Sequence, residues 1–118
     1  MAEANDAPRG LVLHGFGTGS DQVAGVFRSA LNAATALPEA AIEVVIQGPA
    51  VAALAGESQL SGPVAEALGR GIAVLACENS MRSAEVAHGD LLPGVGTVPS
   101  AVAHLAARQW GSWAYVRL

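Results

Sequence analysis

The sequence predicts an α/β protein, a single three-layer α/β/α domain built on a mostly parallel, five-stranded sheet. Three observations predict it. Short apolar runs alternate with segments of helical periodicity along the chain. Two of those runs, IEVVI at 42–46 and IAVLA at 72–76, are almost wholly apolar, as strands covered on both faces are. Glycine and proline punctuate the joints, at Gly48-Pro49, at Gly69 and Gly71, and at Pro93-Gly94. A chain of 118 residues makes one domain. At that size folding buries roughly 65 % of the unfolded chain's surface, enough for one core without staples.

The elements follow in order. Residues 1–9 are polar and read as a flexible tail. LVLH at 11–14 is a short strand, 15–20 is a turn, and Ser20 or Asp21 is placed to cap the next helix. Val23, Phe27, Ala30, Leu31 and Ala34 recur at helical spacing until Pro38. The strand 42–46 ends in the turn Gln47-Gly48-Pro49, and a short helix runs over 51–54 to Gly56. Pro63 suits the first turn of a helix continuing through 64–68. The strand 72–76 carries Cys77 at its carboxyl end, and 78–84 starts a helix. His88-Gly89-Asp90 and Pro93-Gly94 are loops, and Thr97 and Val98 form a fourth strand. Ser100 caps a last helix with Val102, Leu105 and Ala106 facing inward, and 113–116 is the fifth strand. Strand order does not follow from these patterns.

Composition excludes several classes of function. All six basic residues are arginine, so there is no lysine for a Schiff base or a P-loop. The net charge is −4 and the arginines do not cluster, which argues against nucleic acid as a partner. Cys77 is the one cysteine, so neither an intrachain disulfide nor a cysteine zinc cluster can form. No two histidines have metal-ligand spacing, and no metal or cofactor is expected. The first ten residues lack the apolar core of a signal peptide, and no apolar run reaches membrane-spanning length. The expected compartment is the cytoplasm, where a lone thiol stays reduced.

The stretch His14-Gly15-Phe16-Gly17 resembles the oxyanion loop of an α/β-hydrolase. That chemistry also needs G-x-S-x-G between a strand and a helix, and no serine has this setting. Gly15, Gly17 and Gly19 approach G-x-G-x-x-G, but Ser20 stands at the third glycine position, and Gln47 stands where an acidic ribose ligand belongs. A tight turn is the plain role of these glycines, with anion binding as the alternative.

Cys77 is the most informative residue. Open α/β sheets bind ligands at the carboxyl ends of their strands, and a helix start beside the sulfur favours the thiolate. An inert core cysteine is the competing reading. If Cys77 is reactive, it should be partly exposed, with a pKa below the ordinary value of about 8.5. Glu78 opposes the thiolate if it points inward, and Arg82 supports it if it folds back. Parallel strands would put the 15–20 turn and Cys77 at one shared pocket, with His14 as hydrogen-bond partner or proton donor. His88 reads as a solvated loop residue and His104 as an exposed helix residue. Trp110, Trp113 and Tyr115 read as core or subunit-interface residues.

Several stretches together resemble the DsrE/DsrF-like proteins, small α/β/α domains that include subunits of sulfur-relay complexes. They are Cys77 followed by Asn79, Ser80 and Met81; Leu91-Leu92-Pro93; Val98-Pro99-Ser100; Trp113-Ala114-Tyr115; and the early EVVIQGPAVAAL. The resemblance spans nearly the whole chain. It implies a homotrimer or trimer-based hexamer, and it implies that Cys77 matches the cysteine that carries sulfur as a persulfide in sulfur-relay members. The function expected is therefore transport of sulfane sulfur on Cys77, taken from a donor protein or a small persulfide and passed to an acceptor protein. His14, Gly15, Gly17, Asn79, Ser80 and Arg82 would form the surrounding binding site. The alternative is a non-catalytic, oligomeric module that binds a small molecule or anion at the Gly-rich turn.

Overall fold

The structure is a computed structural model that describes residues 9–118. In chain order the elements are β1 (Gly10–Phe16), α1 (Ser20–Ala36), β2 (Ala41–Gln47), a 3₁₀ helix (Gly48–Leu54), α2 (Ser61–Gly69), β3 (Ala73–Cys77), α3 (Glu78–Ala84), a 3₁₀ turn (His88–Asp90), β4 (Gly96–Val98), α4 (Ala101–Trp110) and β5 (Ala114–Arg117). The expected tail falls outside the described residues except for Arg9, whose carbonyl accepts the Ala41 N–H at 2.8 Å.

The five strands form one sheet in the order β4-β3-β2-β1-β5, and every pairing is parallel. Parallel neighbours need crossover connections, and the helices supply them. The centre of the sheet is β2, buried along most of its length as its composition predicts. Alternation along the strands divides the core in two. Leu11, Leu13, Val44, Ile46, Val74 and Ala76 pack with α1, α2 and the first 3₁₀ helix. Val12, Val45 and Cys77 face the other way, onto Ala101 and Leu105 of α4. One layer therefore holds several helices and the opposite layer holds α4.

Three expectations need correction. Neither Ser20 nor Asp21 caps α1: Gly19 occupies that position without a side-chain bond. The Gln22 side chain folds back to accept the Thr18 N–H at 2.8 Å and satisfies the turn instead. Val102 does not face inward. The helix begins at Ala101, so Ala101 and Leu105 share the buried row, and Val102, about 100° round the helix, is 66 % exposed. Trp110 is 84 % exposed, which leaves the subunit-interface half of its reading. The expected cap at Ser100 is present, its hydroxyl accepting the Ala103 N–H at 3.2 Å. β1 also runs on to Phe16, so the Gly-rich turn shrinks to 17–19.

Candidate functional site

All strands point one way, so their carboxyl ends share one edge of the sheet, and Cys77 lies there as both the last residue of β3 and the cap of α3. The sulfur lines a pocket of about 430 Å³. Gln47, Gly48 and Pro49 form one wall, Asn79, Ser80, Ser83 and Ala84 a second, and Ser100, Ala101 and Val102 a third. The chain turns into this wall at Gly48, whose φ of +81° is left-handed and suits glycine. Gly48 also donates its N–H to Ser80 Oγ at 2.8 Å, tying the β2 exit to α3.

Cys77 is buried, only 2 % exposed as a residue and not partly exposed as expected, because the start of α4 lies against it. Burial by itself raises the thiol's pKa. The Ser80 amide and hydroxyl and the Ala101 and Asn79 amides outweigh that penalty, so the pKa lies below its ordinary value. Of these, the Ala101 N–H makes the aligned hydrogen bond, at 3.4 Å to the sulfur. Ser80 is well placed for its part, since its oxygen already accepts from Gly48 and its proton is free to turn toward sulfur.

Two charged neighbours of the thiol are engaged elsewhere. Glu78 meets His88 Nε2 at 3.0 Å and accepts from Thr97 Oγ1 at 2.8 Å, and those bonds hold its carboxyl below the usual range. Glu78 is absent from the pocket wall, so it does not oppose the thiolate at close range. Arg82 donates to Asn79 Oδ1 and does not line the pocket. Its link to the pocket wall is this bond to Asn79.

His14 is buried two residues before the end of β1, on the α4 side of the sheet. Its Nδ1 meets the Tyr115 hydroxyl at 2.7 Å and its Nε2 meets Gln47 Oε1 at 2.8 Å. It reaches the pocket only through Gln47, and it is not a partner of the thiol. Gly15 and Gly17 are not at the thiol either. They line a separate pocket of about 330 Å³ together with Phe16, Gln22, Val26 and Leu118. The parallel arrangement does bring both segments to the same edge, but the shared pocket is a correction: the 48–50 segment stands between them, with Ala50 N–H bonded to Gly17 O at 2.9 Å.

Gln47, Ser83, Ser100 and Tyr115 are functional candidates that the residue patterns did not point to. Gln47 had a legible signal, a polar residue ending a buried strand at the ligand edge. His104 is a further correction, since it is not an exposed helix residue. Its Nε2 bonds Glu43 Oε1 at 2.7 Å, and Arg108 Nε donates to the same oxygen at 3.0 Å. Glu43 is a buried carboxylate in the centre of β2. Burial raises its pKa, but the Arg108 and His104 bonds dominate and hold it below the usual range. The Arg108 guanidinium lies 4.3 Å above the Trp113 ring. This cluster fastens α4 to the sheet. Among the described residues no group of three His, Cys, Asp or Glu side chains could hold a metal ion, and no helix is long and apolar enough to cross a membrane.

No protein-family model matches the chain, and no curated protein matches it. Solved structures do. The ychN protein from E. coli is 17 % identical, with a TM-score of 0.76, over 93 % of this chain and 99 % of that one. BT1422 from Bacteroides thetaiotaomicron, described as a conserved protein of unknown function, is 20 % identical, with a TM-score of 0.74, over 98 % and 97 %. These two share the fold. MTH1491 from Methanobacterium thermoautotrophicum, described as a protein of unknown function, is 34 % identical over 93 % of this chain and 99 % of its own, with a TM-score of 0.87. At that identity over nearly the full length of both chains, the protein belongs to the same family as MTH1491.

Proposed function

We propose that the protein carries sulfane sulfur as a persulfide on Cys77, in the manner of the DsrE/DsrF-like proteins its sequence resembles. The observation that carries this reading is a thiol at the wall of a pocket, at the carboxyl edge of a parallel sheet, with its anion favoured by surrounding N–H and O–H donors. The thiolate attacks the outer sulfur of a donor persulfide, R–S–SH. The donor S–S bond breaks, its electron pair leaves on R–S⁻, and Cys77 holds –S–SH. The sulfur is exchanged between two thiols with no net oxidation, so neither a metal nor a second cysteine is required. A homotrimer or trimer-based hexamer in the cytoplasm is the form that goes with this reading. The apolar outer face of α4 supports the assembly.

A second reading is a non-catalytic binding module, with Cys77 as a wall residue. The burial of the thiol and the separate pocket at Gly15 and Gly17 favour it. Mass spectrometry of the native protein after incubation with a small persulfide decides between the two. The expected result is one added sulfur on Cys77, absent in Cys77→Ser, which keeps the fold because the volume change is small. A native protein that takes up no sulfur and resists alkylation is the binding module.

A further inference from the structure

The three walls of the Cys77 pocket are not fastened alike. The first and second are tied to each other by the Gly48 N–H on Ser80 Oγ at 2.8 Å. The third is Ser100, Ala101 and Val102 at the start of α4, and it is joined to the sulfur by the Ala101 N–H at 3.4 Å. Sulfur is a poor acceptor, so that bond holds weakly. The Ser100 cap adds no grip, because its partner is the Ala103 N–H of the same helix and moves with it. On the outer side of this segment Pro99, Val102 and Ala103 are exposed.

The far end of α4 is held more firmly. Arg108 grips both oxygens of the buried Glu43, Nε donating to Oε1 at 3.0 Å and a terminal nitrogen to Oε2. Its guanidinium lies over Trp113, and its carbonyl accepts the Gly111 and Trp113 N–H groups at 3.0 and 2.9 Å. Between the two ends stands His104, whose Nε2 bonds Glu43 Oε1 at 2.7 Å. Three residues separate it from Ala101, about 4.5 Å along the helix axis. His104 is thus the polar anchor nearest the turn that covers the sulfur.

We infer that the first turn of α4 is a gate over Cys77, fixed at its Arg108 end and caught by the His104–Glu43 bond. When that bond parts, residues 100–102 lift from the sulfur. The pocket loses one wall and becomes a cleft, open to groups too bulky for its closed volume of about 430 Å³. Arg108 keeps its hold on Glu43, so the rest of the helix stays on the sheet. The motion is a local opening, with a free energy below that of global unfolding. His104 acts on the thiol only through the position of α4, and so it is a positioning residue. The inference goes beyond sulfur transfer. It concerns the size of group that reaches the thiol, and it gives a sulfur borne on another protein a way in.

The test compares labelling of Cys77 by fluorescein maleimide, which is bulky, and by N-ethylmaleimide, which shares its chemistry. The ratio of the two rates cancels changes in the reactivity of the thiol itself. His104→Ala should raise the bulky-to-small ratio about tenfold, the worth of a hydrogen bond to a charged acceptor. His104→Gln, which keeps a donor for Glu43, should bring the ratio back toward the wild-type value. Arg108→Ala should lower stability to urea without raising the ratio. In wild-type protein at low urea, bulky labelling should rise with a slope shallower than that of global unfolding. That slope needs no variant, so it stands even if a substitution prevents folding. A ratio unchanged in His104→Ala, a ratio raised as far by Arg108→Ala, or a slope equal to that of global unfolding would overturn the gate. Each of those results leaves the sulfur reading to its own measurement, the added sulfur on Cys77.

Discussion

Ser80 connects two strand ends at the thiol. Its oxygen takes the Gly48 N–H, and its amide and hydroxyl stabilise the Cys77 anion. Ser80→Ala should therefore raise the thiol pKa, because burial then has less to oppose it. Losing a hydrogen bond of about 1 kcal/mol slows alkylation at neutral pH about fivefold, read from the pH–rate profile against iodoacetamide. A profile unchanged by the substitution would leave the backbone amides of Ser80, Ala101 and Asn79 as the donors that hold the pKa down. Glu43 has the opposite character, a buried charge whose role is to hold α4 down. Arg108→Ala leaves that carboxylate with His104 alone. Because the Arg108 side chain is 37 % exposed, the expected loss is about 2 kcal/mol, below the range for fully buried pairs, measured by urea unfolding. The Glu43 pKa is depressed in the folded state. Its contribution is thus present above the unfolded value near 4.5 and lost as pH falls through the folded one. Glu43→Gln should flatten the acid limb of the stability curve below about pH 4.5, whereas a limb of unchanged slope would place the acid sensitivity in other carboxylates. The sequence showed where Cys77 would fall, since an apolar run breaks there into ENSMRS. It did not show the thiol's burial, because Ala101 covers it from 24 positions away. Glu43 in IEVVI looked like an imperfection in an apolar strand, and its partners lie far along the chain in α4.

At the scale of elements, the pocket depends on how β2 leaves the sheet. Gly48 adopts a φ of +81°, and a Cβ there would approach the Phe16 ring at 3.3 Å. Gly48→Ala should cost about 1–2 kcal/mol from the left-handed backbone. It should also loosen the Gly48–Ser80 tie, so a fall in stability accompanied by a rise in thiol pKa is expected. A stability loss with no change at the thiol would show that Ser80 does not depend on that tie. Gly15 serves packing instead. A Cβ on it would stand 2.9 Å from Ile46 and 3.0 Å from Val26, so the bare glycine lets α1 pack close to β1. Such elements were readable because apolar runs and helical spacing are local properties. The strands around 42–46 and 72–76 and the helix over 78–84 followed directly from them. Caps and pocket walls were less legible. Gln22 replaced the expected cap through a side chain folding back four residues, and the pocket walls come from three separate crossovers meeting at one edge.

At the scale of the whole molecule, the two layers over the sheet are unequal. Several helices cover one face and α4 covers the other, while the outward side of α4 presents Val102, Ala103 and Trp110 with no charge among them. Beyond β1, the edge strand β5 leaves Val116 and Leu118 exposed, and Phe16 is exposed nearby at the carboxyl edge. Apolar surface of this kind on a chain with so few charged residues favours association with further copies, and closed rotational symmetry limits its growth. The expected state at micromolar concentration is the homotrimer or its hexamer, measured by sedimentation. Trp110→Glu places a charge on the outer face of α4 without touching either core, so it should shift the protein toward monomer while leaving its thermal unfolding cooperative. If α4 is the contact, Val102 at the pocket mouth is covered in the oligomer. Alkylation of Cys77 by reagents larger than iodoacetamide should then be slower in the wild-type assembly than in the Trp110→Glu monomer. Equal rates in both would place the subunit contact away from the pocket, on the β5 edge. A wild-type protein that sediments as a monomer would refute the assembly and leave the Cys77 pocket open to solvent as it stands in the single chain.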